Sequence, residues 1–196
     1  MMICLRAKLA YLAFPKTATT AVEAALAPHC PVQISGSRIK HLPMKGFQRY
    51  IEPMLADRGH AELETTCQVR DPISWLGSWY AFRRQARHVR RGASTFGASF
   101  DRFVDAALGD DPPPWAKVGR ASIFVTGRRG ARVRTIYRYE AMEAYRAYLS
   151  DRIGAPLELP RVNVSPKAEL ALSRDMRQRV ERVMAEDFEL YESALT

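Results

Sequence analysis

A lysine and three threonines stand between an apolar run and an apolar-periodic segment in Leu12-Ala13-Phe14-Pro15-Lys16-Thr17-Ala18-Thr19-Thr20. The run before them reads as a strand and the segment after them as a helix. A strand-to-helix turn of this composition can hold a phosphate. The first backbone N–H groups of a helix lack intrahelical partners, and the helix dipole makes that end positive. Thr17, Thr19 and Thr20 can add hydroxyl donors, and Lys16 adds a mobile positive charge. The ordinary alternative is a threonine-capped helix beside a surface lysine. The loop is not a Walker A motif, which needs two glycines where this segment has none.

A second group follows in Cys67-Gln68-Val69-Arg70-Asp71-Pro72-Ile73-Ser74-Trp75-Leu76-Gly77-Ser78-Trp79-Tyr80. A strand ending at Val69 delivers Arg70, whose planar guanidinium suits a phosphate. Pro72 fits the first turn of a helix, where its missing N–H is harmless. Ser78, eight residues beyond Arg70, stands about two helical turns further on. The bland alternative is a strand-turn-helix junction with a solvated Arg70 and with Ser78 filling a helix face.

The two groups, in this order, resemble the sulfotransferases that use 3′-phosphoadenosine 5′-phosphosulfate (PAPS). The first is similar to that family's phosphosulfate loop, F-P-K-[ST]-G-[ST]-[ST], through Phe14, Pro15, Lys16, Thr17, Thr19 and Thr20, with Ala18 in the place of its glycine. An alanine methyl still permits close approach, but a backbone angle open only to glycine is excluded there. The second is similar to the family's 3′-phosphate site, V-R-[DN]-P-x5-S-x-[YF], through Arg70, Asp71, Pro72, Ser78 and Tyr80. The resemblance implies that Pro15, Lys16, Thr17, Ala18, Thr19 and Thr20 hold the 5′ side of the nucleotide, and that Arg70 and Ser78 hold the 3′-phosphate. Less specific matches extend it. Tyr137-Arg138-Tyr139-Glu140 is similar to the family's strand ending in R-Y-E. Arg161-Val162-Asn163-Val164-Ser165, with a terminal helix ending Asp187-Phe188-Glu189-Leu190-Tyr191, is similar to the C-terminal segment of bacterial and glycan sulfotransferases. The cytosolic family's R-K-G-x-x-G element is absent, and Lys167 is the residue assigned to the adenosine in its place. The likeness spans the chain and implies the soluble bacterial kind. At 196 residues the chain is short for the family, so acceptor-binding insertions are the expected loss.

The chemistry so implied moves a sulfuryl group in line from a phosphate leaving group to an acceptor oxygen, with 3′-phosphoadenosine 5′-phosphate (PAP) as product. Catalysis is then positioning plus charge stabilisation, by analogy with phosphoryl transfer. Lys16 and the helix start face the charge that builds on the leaving group. A single phosphate leaves, so no metal is implied, and no carboxylate cluster for Mg²⁺ is evident in the sequence. His41, in Ile39-Lys40-His41-Leu42-Pro43, follows a short second strand and is a candidate base for the acceptor hydroxyl; it also reads as a surface-loop histidine. Glu140 is the second candidate. The acceptor is a sugar, lipid, phenol or peptide hydroxyl.

These residues need a fold that gathers them. Strands are read at Lys8–Phe14, Val32–Ser35, Glu62–Val69 and Arg132–Tyr139. Helices are read at Thr17–Ala27, Met44–Ala56 (broken by Pro53), Pro72–Val89, Phe100–Leu108, Glu140–Ile153 (closed by Gly154) and Leu170–Tyr191, with Ala121–Thr126 ambiguous. Strands alternating with helices predict an α/β fold, and with the resemblance a P-loop-NTPase-like central parallel sheet flanked by helices. Both motifs would lie at the carboxyl ends of strands, where such sheets bind ligands. Twelve prolines and eleven glycines are scattered, so residues 1–196 read as a single domain. Hydrophobic residues make up 47% and charged residues 26%, which excludes a disordered chain.

The net charge of +9 favours an anionic partner. Arginines concentrate at Arg83, Arg84, Arg87, Arg90 and Arg91 on a helix, and at Arg128, Arg129, Arg132, Arg134 and Arg138 in an expected hairpin; a solvated face is the plain reading of each. Two rivals to sulfuryl transfer follow. A P-loop-like nucleotide or small-molecule kinase is weakened by the missing glycines and missing Mg²⁺ carboxylates. A basic nucleic-acid-binding module has no RNP, KH or helix-turn-helix signature, so no nucleic-acid partner is expected. Cys4, Cys30 and Cys67 are widely spaced and odd in number, which reads as buried thiols in a reducing compartment. No apolar run reaches the ~18 residues of a membrane span, and the expected location is the cytoplasm.

Overall fold

The computed structural model describes residues 1–36, 39–85, 89, 92–160 and 170–196. The chain is mixed α/β, and its contacts group into two compact units, each discontinuous in sequence. The first comprises Met1–Arg70, Ala121–Asn163 and Ser193–Thr196; the second comprises Asp71–Arg120 and Val164–Glu192.

The first unit is built on a five-stranded sheet in the order β3-β1-β2-β4-β5. Its strands are β1 (Met2–Cys4), β2 (Leu9–Tyr11), β3 (Val32–Gln33), β4 (Glu64–Val69) and β5 (Thr135–Arg138). The sheet is not wholly parallel as expected. β2, β4 and β5 are parallel neighbours, but β1 is antiparallel to both β2 and β3. The reason lies at Leu5–Lys8. Arg6 and Lys8, the polar interruptions of the apolar N-terminus, form the turn of a hairpin, with Lys8 at φ 48°. What reads as one strand from Lys8 is the second arm of that hairpin, and Met2 pairs with Tyr11 across it.

From Leu9 to Phe14 every residue is buried, as a strand covered on both faces requires. On one face Met2, Cys4, Leu9 and Tyr11 pack with Val22 and Leu26 of α1 (Thr19–Leu26) and with Tyr145 and Leu149. On the other face of the chain leaving β2, Phe14 meets Phe124, their ring centroids 5.1 Å apart. A helical stretch after β3 runs through α2 (Met44–Gly46), a π-helical turn (Phe47–Ile51) and α3 (Glu52–Ala56), with Pro53 in the first turn of α3 rather than as a break. The ambiguous segment before β5 is a short helix, α6 (Ala121–Val125). The arginines after it begin on a short hairpin turn, as expected: Thr126 bridges Arg132 antiparallel, and Gly127 N donates to Ala131 O at 2.7 Å. Arg128 and Arg129 occupy its turn, Arg128–Gly130, in which Arg129 and Gly130 both have positive φ; Arg132 lies on the returning arm, Arg134 precedes β5 and Arg138 ends it. α7 (Met142–Ile153) ends at Gly154, whose φ of 74° closes the helix as its sequence position predicts.

The second unit holds α4 (Pro72–Arg83), α5 (Phe100–Ala107) and α8 (Arg174–Val183), with α9 (Ala185–Ser193) running to its boundary. Asp71 caps α4 by accepting from Ser74 N at 2.8 Å. α4 ends at Arg83, short of the expected Val89. Arg83 is buried, and it donates to the carbonyls of Pro114 (2.8 Å) and Lys117 (2.6 Å). One member of the first arginine cluster is therefore structural rather than solvated. The terminal helix is broken at Met184 (φ −106°, ψ 25°) into α8 and α9. Arg120 and the buried Asp187 form an ion pair at 2.5 Å.

The cysteine expectation is corrected. Cys4 on β1 is joined to Cys30, just beyond α1, by a disulfide, and only Cys67 is a free, buried thiol. Wide spacing in sequence hid the pair because the β1–β2–α1 path folds back on itself. No helix among the described residues is long and apolar enough to cross a membrane.

Candidate functional site

Adjacent strands send their chains in opposite directions at one point of the sheet. From β2 the next strand, β3, lies toward one edge; from β4 the next strand, β5, lies toward the other. Such a switch leaves a crevice at the carboxyl ends of the two strands. The loop leaving β2 carries Pro15 to Ala18, and Arg70 is the first residue past β4. Leu12 N bonds to Thr66 O at 2.8 Å, so the two chains run side by side up to the crevice.

The loop is held in an uncommon backbone shape. Lys16 has φ 70° and Ala18 has φ 52°, ψ 28°, so two non-glycine residues in three occupy the left-handed region. Each costs on the order of 1 kcal/mol or more relative to glycine, and such outliers concentrate at functional sites. The position where the family pattern has glycine is thus one whose geometry favours glycine. Between them Thr17 is fully buried and its hydroxyl donates to Phe14 O at 2.8 Å. That hydroxyl hydrogen is committed to shaping the loop, which corrects the expectation of three free hydroxyl donors. Thr19 is buried and Thr20 exposed in the first turn of α1.

α1 starts without a side-chain cap. Its N-cap is Ala18, which has no side-chain oxygen, and no acidic residue lies in its first turn. The threonine cap offered by the ordinary alternative is not formed. Ala21 N bonds to Ala18 O at 2.9 Å, and no side-chain cap serves the N–H groups of Thr19 and Thr20, with Lys16 three residues before Thr19.

His41 joins this loop. Its Nδ1 lies 2.6 Å from the carbonyl of Ala13, three residues before Lys16. A carbonyl only accepts, so Nδ1 carries the proton and Nε2 of the neutral ring is the basic nitrogen. Burial lowers the His41 pKa, the hydrogen bond to Ala13 partly opposing it, so the neutral ring is favoured.

Arg70 is half-buried, and its guanidinium carbon lies 4.8 Å from the ring centroid of Tyr139. Val69 pairs with Arg138, which places Arg70 beside Tyr139 in register. Glu140 is exposed, in a single turn before α7. Pro15, Lys16, Thr17, Ala18, Thr19, Thr20, His41 and Arg70 thus all belong to the first unit, at the carboxyl ends of its parallel strands. Ser78 belongs to the second unit, where it is buried within α4. Lys167 and the segment Arg161–Ser165 lie outside the described residues, as do Arg87, Arg90 and Arg91.

Sequence reasoning missed three groups. Ala13 acts through its carbonyl, which has no residue-type signal. Tyr139 was noted only as part of a motif. Glu23 binds Lys40 at 2.5 Å across 17 residues, a spacing no local pattern reveals. Comparison with known proteins returned no matching family model, no curated relative and no solved structure.

Proposed function

We propose that the chain is a sulfotransferase that takes a sulfuryl group from PAPS to a hydroxyl acceptor, on a P-loop-like sheet. The observation that carries this is the uncapped start of α1, entered through Lys16 and Ala18 at positive φ, after β2 at the point where the strand order switches, with Arg70 the first residue past the neighbouring β4. A helix start lacking a carboxylate, one lysine and one arginine form a donor set that fits the two ends of a bisphosphorylated nucleotide. PAPS would supply the activated sulfuryl group.

The chain's own residues would then divide the work. The α1 N–H groups and Lys16 hold the 5′ end, and Lys16 meets negative charge that grows only as the S–O bond breaks. Arg70 holds the non-reacting 3′-phosphate. His41 takes the acceptor's proton on Nε2 while Ala13 O fixes the ring. The acceptor belongs to the class of small-molecule or glycan hydroxyls. The test is sulfate transfer from labelled PAPS to a panel of hydroxyl acceptors. Lys16→Ala should cut turnover by ~100-fold or more, on the scale of losing one oxyanion donor. Wild-type turnover in that variant would reduce the loop to a plain helix start.

A further inference from the structure

We propose that Glu23 is the positioning residue of His41, acting through the Lys40 side chain. The proposal rests on the sulfotransferase reading for what His41 does, and on geometry for how it is held. Glu23 lies in the second turn of α1, the helix whose start follows the Lys16 loop. Its Oε2 accepts from Lys40 Nζ at 2.5 Å, and its Oε1 accepts from the amino group of Met1 at 2.9 Å. The next residue, His41, donates from Nδ1 to Ala13 O. The Lys40-His41 dipeptide is therefore fixed at two points: Lys40 to the helix and His41 to the chain leaving β2. With only the second point, the ring could pivot about a single hydrogen bond.

The pair is unlike an ordinary surface bridge. The two side chains are 17% and 20% exposed, and one carboxylate serves two cations, so less is lost to solvent screening and side-chain freedom. The charged groups facing His41 are Lys40, Glu23 and the Met1 amino group. Glu23 is the one anion among them. Removing it leaves two cations, which disfavour the imidazolium. Removing Lys40 instead takes away a cation and favours it. The two substitutions thus shift His41 in opposite directions, which general loosening of the fold would not do.

The experiment is an NMR titration of the His41 ring protons, assigned with His41→Asn, in wild type, Glu23→Gln, Glu23→Asp and Lys40→Met. PAP affinity and turnover from labelled PAPS are measured in parallel. The expected result is a His41 midpoint lowered in Glu23→Gln, raised in Lys40→Met and near wild type in Glu23→Asp. Turnover should fall about tenfold or more in Glu23→Gln, the scale of a misplaced catalytic group, with PAP affinity changed less than about twofold. An unmoved His41 midpoint in Glu23→Gln overturns the proposal, as does a fall in PAP affinity matching the fall in turnover. If wild type does not bind PAP, the sulfotransferase reading fails, while an unmoved His41 midpoint in Glu23→Gln still overturns the coupling of Glu23 to His41.

Discussion

At the scale of the residue, Ala18 and His41 each do something their type alone does not announce. Ala18 adopts φ 52° at a helix start, where glycine would rest without a Cβ penalty. Ala18→Gly should therefore stabilise the chain, the left-handed gain exceeding glycine's larger unfolded-state entropy. The net is about 0.5–1 kcal/mol, or roughly 1–4 °C in melting midpoint. A lower midpoint by calorimetry would show that the methyl packs usefully and that the angle is not strained. For His41, burial is the main cause of a pKa below the ordinary 6.5. Because the folded value is the lower one, the unfolded chain takes up the proton first. Its contribution to stability is therefore present above pH 6.5 and lost as pH falls through the folded value. Turnover should follow the neutral ring, with an acidic limb centred below 6.5 and a plateau at neutral pH. A limb centred above 6.5 in the turnover–pH profile would remove His41 as the base. The residue types of the site were legible in the sequence, since Lys16, Ala18, His41 and Arg70 stand out by position. Their fixings were not: the Ala13 carbonyl and the Glu23–Lys40 pair arise from chain reversals that no local pattern encodes.

At the scale of the element, the parallel core of β2, β4 and β5 does what sequence order suggested. It brings the loop after β2 and the residue after β4 to one edge. An apolar run made β2 readable, alternation over Arg132–Tyr139 made β5 readable, and Gly154 made the end of α7 readable. The β1–β2 hairpin was not, because Leu5–Lys8 reads equally well as a charged interruption of one strand. The over-long α4 has a different cause. Its arginine-rich continuation keeps helical propensity, while Arg83 is drawn into carbonyl contacts with Pro114 and Lys117. From the position of Arg70 beside Tyr139 at the strand edge, Arg70→Ala should weaken PAP by about 10-fold or more, the scale of a lost charged hydrogen bond. Adenosine 5′-phosphate, which lacks the 3′ group, should bind the variant nearly as well as it binds wild type. Equal losses for both nucleotides in calorimetry would assign Arg70 elsewhere.

At the scale of the whole molecule, the net charge of +9 favours a multiply charged anion, and the proposed nucleotide loop belongs to the first unit. The sequence reads as a single domain because no linker interrupts it. The contacts nonetheless group into two units whose segments interleave, so no compositional break marks either of them. The central claim is that the loop holds a bisphosphorylated nucleotide rather than a polyphosphate with its metal. The most direct measurement compares the thermal midpoint with PAP and EDTA against that with ATP and Mg²⁺. At ~100 times its dissociation constant, a ligand adds about 2.7 kcal/mol, a rise of roughly 5–10 °C for a chain of this size. PAP with EDTA should give the larger rise, and Lys16→Ala with Arg70→Ala should abolish most of it. A larger rise with ATP and Mg²⁺, or none with PAP, would contradict the claim.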